Sequence, residues 1–138
     1  MKSEFIILHN PSSDHLEQIR ELMCACEFHG HFNIVSKALE NNNLFVLLHD
    51  YQPVGFLAYT MYKDHAKIDL LEIKKNHKGS GMGRKLEGYF NDYCLKQRAS
   101  SITLLCAPND SLGFWLKMGY RIDEDTMENN GIYMIKSL

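Results

Sequence analysis

The sequence predicts a mixed α/β domain with the element order β-α-α-β-β-β-α-β-α-β-β, and three observations carry that reading. Short apolar, β-branched runs recur between segments whose apolar residues step by three or four. The longest helical segment follows a strand through a glycine-rich stretch, HKGSGMGRKL at residues 77–86. Finally, 138 residues at 45% hydrophobic and 23% charged suit one globular domain, residues 1–138, burying about two-thirds of its unfolded surface.

Phe5 to Leu8 is the first strand, closed by the turn-prone Asn10-Pro11-Ser12. Asp14 with Glu17 makes a capping pair for a helix that carries Leu16, Ile19, Leu22 and Met23 on one face and runs to about Cys26 or Phe28. Phe32 to Leu39 is a shorter helix with Ile34, Val35, Ala38 and Leu39 inward, ended by the polar run Glu40 to Asn43. Asn43 to His49 and Val54 to Tyr62 are strands joined by a turn at Asp50-Tyr51-Gln52-Pro53, and Lys67 to Lys75 is the next strand. Met82 to Arg98 is the long helix, with Met82, Leu86, Tyr89, Phe90, Tyr93 and Cys94 as its stripe. Ile102 to Ala107 is a strand, and Ser111 to Met118 is a short helix stopped by Gly119. Tyr120 to Asp123 and Gly131 to Ile135 close the sheet around an acidic loop, Glu124 to Asn130.

The net charge of −2 argues against a general nucleic-acid binder, whose whole domain would be basic. The basic charge is local instead: Lys74, Lys75, Lys78, Arg84 and Lys85 crowd one segment without an acid between them, which marks it as the anion-binding region. The longest apolar run, Leu44 to Leu48, is far short of a membrane span, and the start MKSEFIILHN has no secretory pattern, so the expected location is cytoplasmic, away from membranes. In that compartment Cys24, Cys26, Cys94 and Cys106 are expected as free thiols. Cys24, Cys26, His29 and His31 have metal-binding chemistry, but their C-x-C-x-x-H-x-H spacing is not that of a zinc finger, and no metal is expected.

A strand that enters a helix through glycines leaves the first helical N–H groups pointing at whatever lies before them, and phosphate is their natural guest. A Walker loop requires G-x-x-x-x-G-K-(S/T) and a dinucleotide fingerprint G-x-G-x-x-G after a first strand; Gly79, Gly81 and Gly83 fit neither. The spacing that fits is a Gln, Arg or Lys followed by x-x-G-x-(G/A), met by Lys78, Gly81 and Gly83 after a strand ending Leu71-Glu72-Ile73. A second pattern, F-Y-x-K-x-G-F, is approached by Phe114-Trp115-Leu116-Lys117-Met118-Gly119-Tyr120. With these two stretches the chain resembles the GNAT superfamily of acyl-coenzyme A dependent N-acyltransferases, over residues 67–122 by motif and elsewhere by element order.

The resemblance implies a mostly antiparallel central sheet flanked by helices, and acetyl-CoA (coenzyme A) as co-substrate. It makes Leu71, Glu72 and Ile73 the strand that pairs with the pantetheine arm, and Lys78, Gly79, Ser80, Gly81, Met82, Gly83 and Arg84 the pyrophosphate loop. Phe114 and Trp115 pack against the coenzyme, and Asn109, one residue out of register, helps to hold it. In such enzymes the amine attacks directly, so Cys106 reads as a small apolar strand residue. The catalytic base is expected on the pantetheine strand; counting back from Ile73 by twos selects Asp69, with Lys67, and turns Glu72 the other way. The family's usual proton-donating tyrosine is replaced by Trp115, whose indole does not transfer protons near neutral pH, leaving that task to water or another tyrosine. The reading is an N-acetyltransferase acting on a primary amine of a small molecule or peptide, with a non-catalytic coenzyme A binding module as the alternative. A homodimer is open to it. Asp123, Glu124, Asp125 and Glu128 favour a cationic acceptor, such as a polyamine, an aminoglycoside or lysine.

Overall fold

A computed structural model describes residues 4–11, 17, 19–21, 32–77, 79–106, 111–128 and 131–138. Its elements are β1 (Phe5–His9), α1 (Phe32–Glu40), β2 (Leu44–His49), β3 (Gln52–Met61), β4 (His65–Ile73), a 3-10 turn (Lys75–His77), α2 (Met82–Lys96), β5 (Ser101–Cys106), α3 (Leu112–Lys117), β6 (Arg121–Glu128) and β7 (Gly131–Ser137). Of the expected first helix, Glu17 and residues 19–21 are described and helical. The strands form one sheet in the order β1-β2-β3-β4-β5-β7-β6, antiparallel except for β4 against β5. The predicted mixed, mostly antiparallel class is the observed one.

Two apolar layers sandwich the sheet. Phe45, Leu57, Tyr59, Ile68 and Ile73 meet Leu86, Phe90 and Cys94 of α2 and Trp115 of α3 on one face. Val46, Phe56 and Ala58 meet Ile19 with Val35 and Ala38 of α1 on the other. The helical spacing in α2 predicts Met82, Leu86, Phe90 and Cys94 correctly, but Tyr89 is exposed and Glu87, only 4% exposed, takes an inner place. Its carboxylate accepts hydrogen bonds from Lys136 Nζ at 2.7 Å and the Tyr120 hydroxyl at 3.3 Å, so a pair drawn from α2 and β7 neutralises the buried charge. Burial, with the Glu87 charge, pushes the neighbouring Cys94 thiol up to about 12. Cys94 and Cys106 are buried, and neither forms a disulfide among the described residues; Cys24, Cys26, His29 and His31 lie outside the described residues.

Local chemistry sets two boundaries differently from the sequence reading. The β2–β3 turn is Asp50-Tyr51 alone, both at positive φ (49° and 70°), and Gln52 and Pro53 already belong to β3. Pro53 is tolerated because it faces Leu48 where the register shifts. The acidic segment is not a loop: β6 continues to Glu128, with residues 123–126 bulging opposite Tyr133 before Met127 pairs with Ile132. No helix of the described residues is long and apolar enough to cross a membrane.

Candidate active site

The sheet opens at its centre. β4 and β5 pair from His65/Ser101 to Ile68/Leu104, and the ladder between them ends there. Beyond it, β4 continues along β3 and β5 along β7, so Leu71, Glu72 and Ile73 flank a gap whose other wall ends at Cys106. A bulge lies at the parting point: Tyr59 faces Ile68 and Ala58 faces Leu70, leaving Asp69 as the extra residue of β4. A bulge bends its strand and increases the local twist, which accounts for the divergence.

At the end of that gap stands the glycine loop. Gly79 and Gly81 have φ of 81° and 84°, and a Cβ at either would point into open space, so backbone conformation is what requires glycine there. Gly83 is different: a Cβ would come within 3.3 Å of the Phe114 ring, which packs on the first turn of α2. Gly81 caps α2 without a side chain to offer, and Lys85 N–H is the first to close on it, at 3.1 Å to Gly81 O. The N–H groups of Met82, Gly83 and Arg84 thus lie ahead of the helical ladder, in a first turn with no acid and with exposed Arg84 and Lys85 beside it. Open space, aligned donors and cationic side chains fit a pyrophosphate. Within the loop the Ser80 hydroxyl donates to His77 O, and His77 Nε2 lies 3.0 Å from His49 Nδ1. Burial, then the charges of His49 and Lys74, hold His77 below its ordinary value. Lys78 and Asn109 lie outside the described residues.

Trp115 is 7% exposed and packs edge-on to Phe114 and Tyr120, as an apolar wall behind the loop. Tyr120 does not supply the missing acid: its hydroxyl is committed to Glu87, and burial raises its pKa far above neutrality.

The carboxylates of β4 are arranged differently from the alternation count. Directly opposed residues of an antiparallel pair share a face. Ile68 with Tyr59, and Leu71 with Leu57, lie on the α2 side, whereas Leu70 with Ala58 and Glu72 with Phe56 lie on the α1 side. Asp69 joins the second set, because its Oδ2 accepts a 2.7 Å hydrogen bond from Oγ1 of Thr60, two residues beyond Ala58 on the same face. Asp69 therefore does not share the face of Ile73; it lies on the side of Glu72, which points away from Ile73 as the count expects, because the bulge resets the parity. Asp69 is half-buried and Glu72 is 6% exposed. Thr60 and the His49–His77 contact escape a reading of the sequence, since each joins residues far apart in the chain; only the β-branched hydroxyl of Thr60 hints at its part.

A sheet split beside a glycine-capped helix is the architecture of acyl-coenzyme A dependent acyltransferases. Residues 18–136 match the family model described as an acetyltransferase (GNAT) domain, and the chain belongs to that family of acetyltransferases. No curated protein sequence matches it. Among solved structures, Ard1 from Thermoplasma volcanium is similar at a TM-score of 0.82 and 19% identity, over 97% of each chain. PaiA N-acetyltransferase from Thermoplasma acidophilum, in complex with coenzyme A, has a TM-score of 0.79 at 15% identity over all of both chains. Arabidopsis thaliana Naa50, in complex with the bisubstrate analogue CoA-Ac-MVNAL, has 0.80 at 18%, covering 97% of this chain and 99% of its own.

Proposed function

We propose that this chain, as one domain, transfers the acetyl group of acetyl-CoA to a primary amine of a small molecule or peptide by direct attack. The observation that carries the reading is the gap beyond Ile68 and Leu104, with phosphate-binding geometry at one end and Asp69 at its origin. In this reading the N–H groups of Met82, Gly83 and Arg84, with the Arg84 and Lys78 side chains, hold the pyrophosphate. Leu71 to Ile73 offer main chain to the pantetheine arm, Phe114 and Trp115 wall it, and Asn109 assists. With the arm entering from the α2 side, the amine approaches from the opposite face, where Asp69 stands. Its lone pair attacks the thioester carbonyl, the C–S bond breaks, Asp69 takes the amine proton directly or through water, and water protonates the thiolate. Glu72 is the weaker base candidate because a carboxyl this buried has no ready path for its proton to solvent.

Asp123 and Glu124 in the β6 bulge, with Asp125 and Glu128 in the same strand, favour a cationic acceptor. A cytoplasmic location and a homodimer complete the proposal. The test is free-thiol release from acetyl-CoA with spermidine, lysine and a short peptide bearing a free α-amino group. Release with at least one amine is expected; tight coenzyme binding without release for any of them would make the chain a coenzyme-binding module instead.

A further inference from the structure

We propose that Thr60 is a positioning residue for acetyl transfer, holding the Asp69 carboxylate toward the acceptor; the inference rests on Asp69 being the base. Asp69 is the supernumerary residue of the β4 bulge, so the ladder that orients its neighbours does not orient it. Thr60 supplies what the ladder lacks. Its Oγ1 lies 2.7 Å from Asp69 Oδ2, a short separation in keeping with a hydroxyl donating to an ionised carboxylate. Thr60 is itself fixed on both counts that matter: it is β-branched, which restricts its rotamer, and it sits in β3 directly opposite Lys67, inside the ladder. The bond engages Oδ2 only. Among the described residues Oδ1 accepts no hydrogen bond, so it is the oxygen left to receive the amine proton. The hydroxyl gives up no proton in the reaction; it restricts the rotation of the group that takes one, an effect that belongs to kcat and not to coenzyme affinity.

The experiment compares Thr60→Val, Thr60→Ser, Asp69→Asn and the double variant Thr60→Val/Asp69→Asn, by free-thiol release with the same three amines and by thermal unfolding. Thr60→Val, nearly the shape of threonine, is expected to lower kcat about tenfold while the KM for acetyl-CoA stays within about twofold. Thr60→Ser, which keeps the hydroxyl, is expected to restore most of the rate, and the double variant to be no slower than Asp69→Asn. A Thr60→Val enzyme with wild-type kcat, with a change confined to KM, or with a loss that serine does not rescue would overturn the assignment while leaving Asp69 in place. Wild-type turnover by Asp69→Asn, or no release with any amine, would instead remove the reading of Asp69 as base and this inference with it.

Discussion

The glycine loop and the bulged stretch of β4, which the proposed function assigns to the two ends of one reaction, are built in opposite ways. The loop works through main chain: two glycines at positive φ, a helix that starts without a side-chain cap, and donors aligned by the helix itself. The bulge works through side chains that meet only because β3 and β4 are in a particular register, with Thr60 and Asp69 nine residues apart in sequence. The lesson is that the proposed anion recognition draws chiefly on main chain, with Arg84 and Lys78 beside it, whereas the proposed proton transfer hangs on a single side-chain contact.

The sharpest way to break the comparison is Gly81→Val. A β-branched residue at φ 84° is strongly disfavoured, so the loop should refold locally and lose two or more phosphate bonds. Calorimetry should find coenzyme A affinity lower by about a thousandfold with far-UV dichroism unchanged, and wild-type affinity would refute the phosphate loop. Lys136→Met strands the Glu87 carboxylate under α2 and should cost about 3 kcal/mol in urea unfolding; a cost below about 1 kcal/mol would show that the pair does not anchor α2. Asp69→Asn should lower kcat about a hundredfold with little change in coenzyme KM, while Glu72→Gln leaves kcat nearly intact if the enzyme folds. The reverse ranking would move the base to Glu72. Gly83→Ala should raise the coenzyme KM only severalfold, since the Phe114 ring has to give by a few tenths of an ångström.

The smallest effect is on pH. Burial holds His9 and His77 below their ordinary value, so the folded state favours their neutral forms. Their contribution to stability is present above about pH 6.5 and is lost as the pH falls through their lowered folded values. Unfolding midpoints should therefore drop between about pH 7 and pH 5, and His9→Gln, which removes the ring stacked on Phe45, should flatten that slope. An unaltered slope would mean that other groups set it.

Much of the fold around the glycine loop was readable from residues near one another in the chain. The loop spacing, the α2 stripe and the Phe114–Tyr120 segment are local patterns, and each lies on the element expected of it. The exceptions have physical causes. Glu87 replaces Tyr89 in the interior because a lysine 49 residues away neutralises it. The acidic segment pairs as strand because β7 offers it an edge. Asp69 lies on the face opposite to the one that counting by twos predicts, because that count assumes an unbroken pleat.

The amino-acid sequence by itself determined the class of sheet and the place of the glycine loop before its helix. Glycine at positive φ and the N–H groups of a helix start are properties of contiguous residues, and no distant partner is needed to create them. Which face each carboxylate of β4 takes, which hydroxyl bonds Asp69, and which cation neutralises Glu87 were decided only by the tertiary structure. They depend on strand register and on helix-to-sheet packing, relations between residues that a linear chain does not bring together.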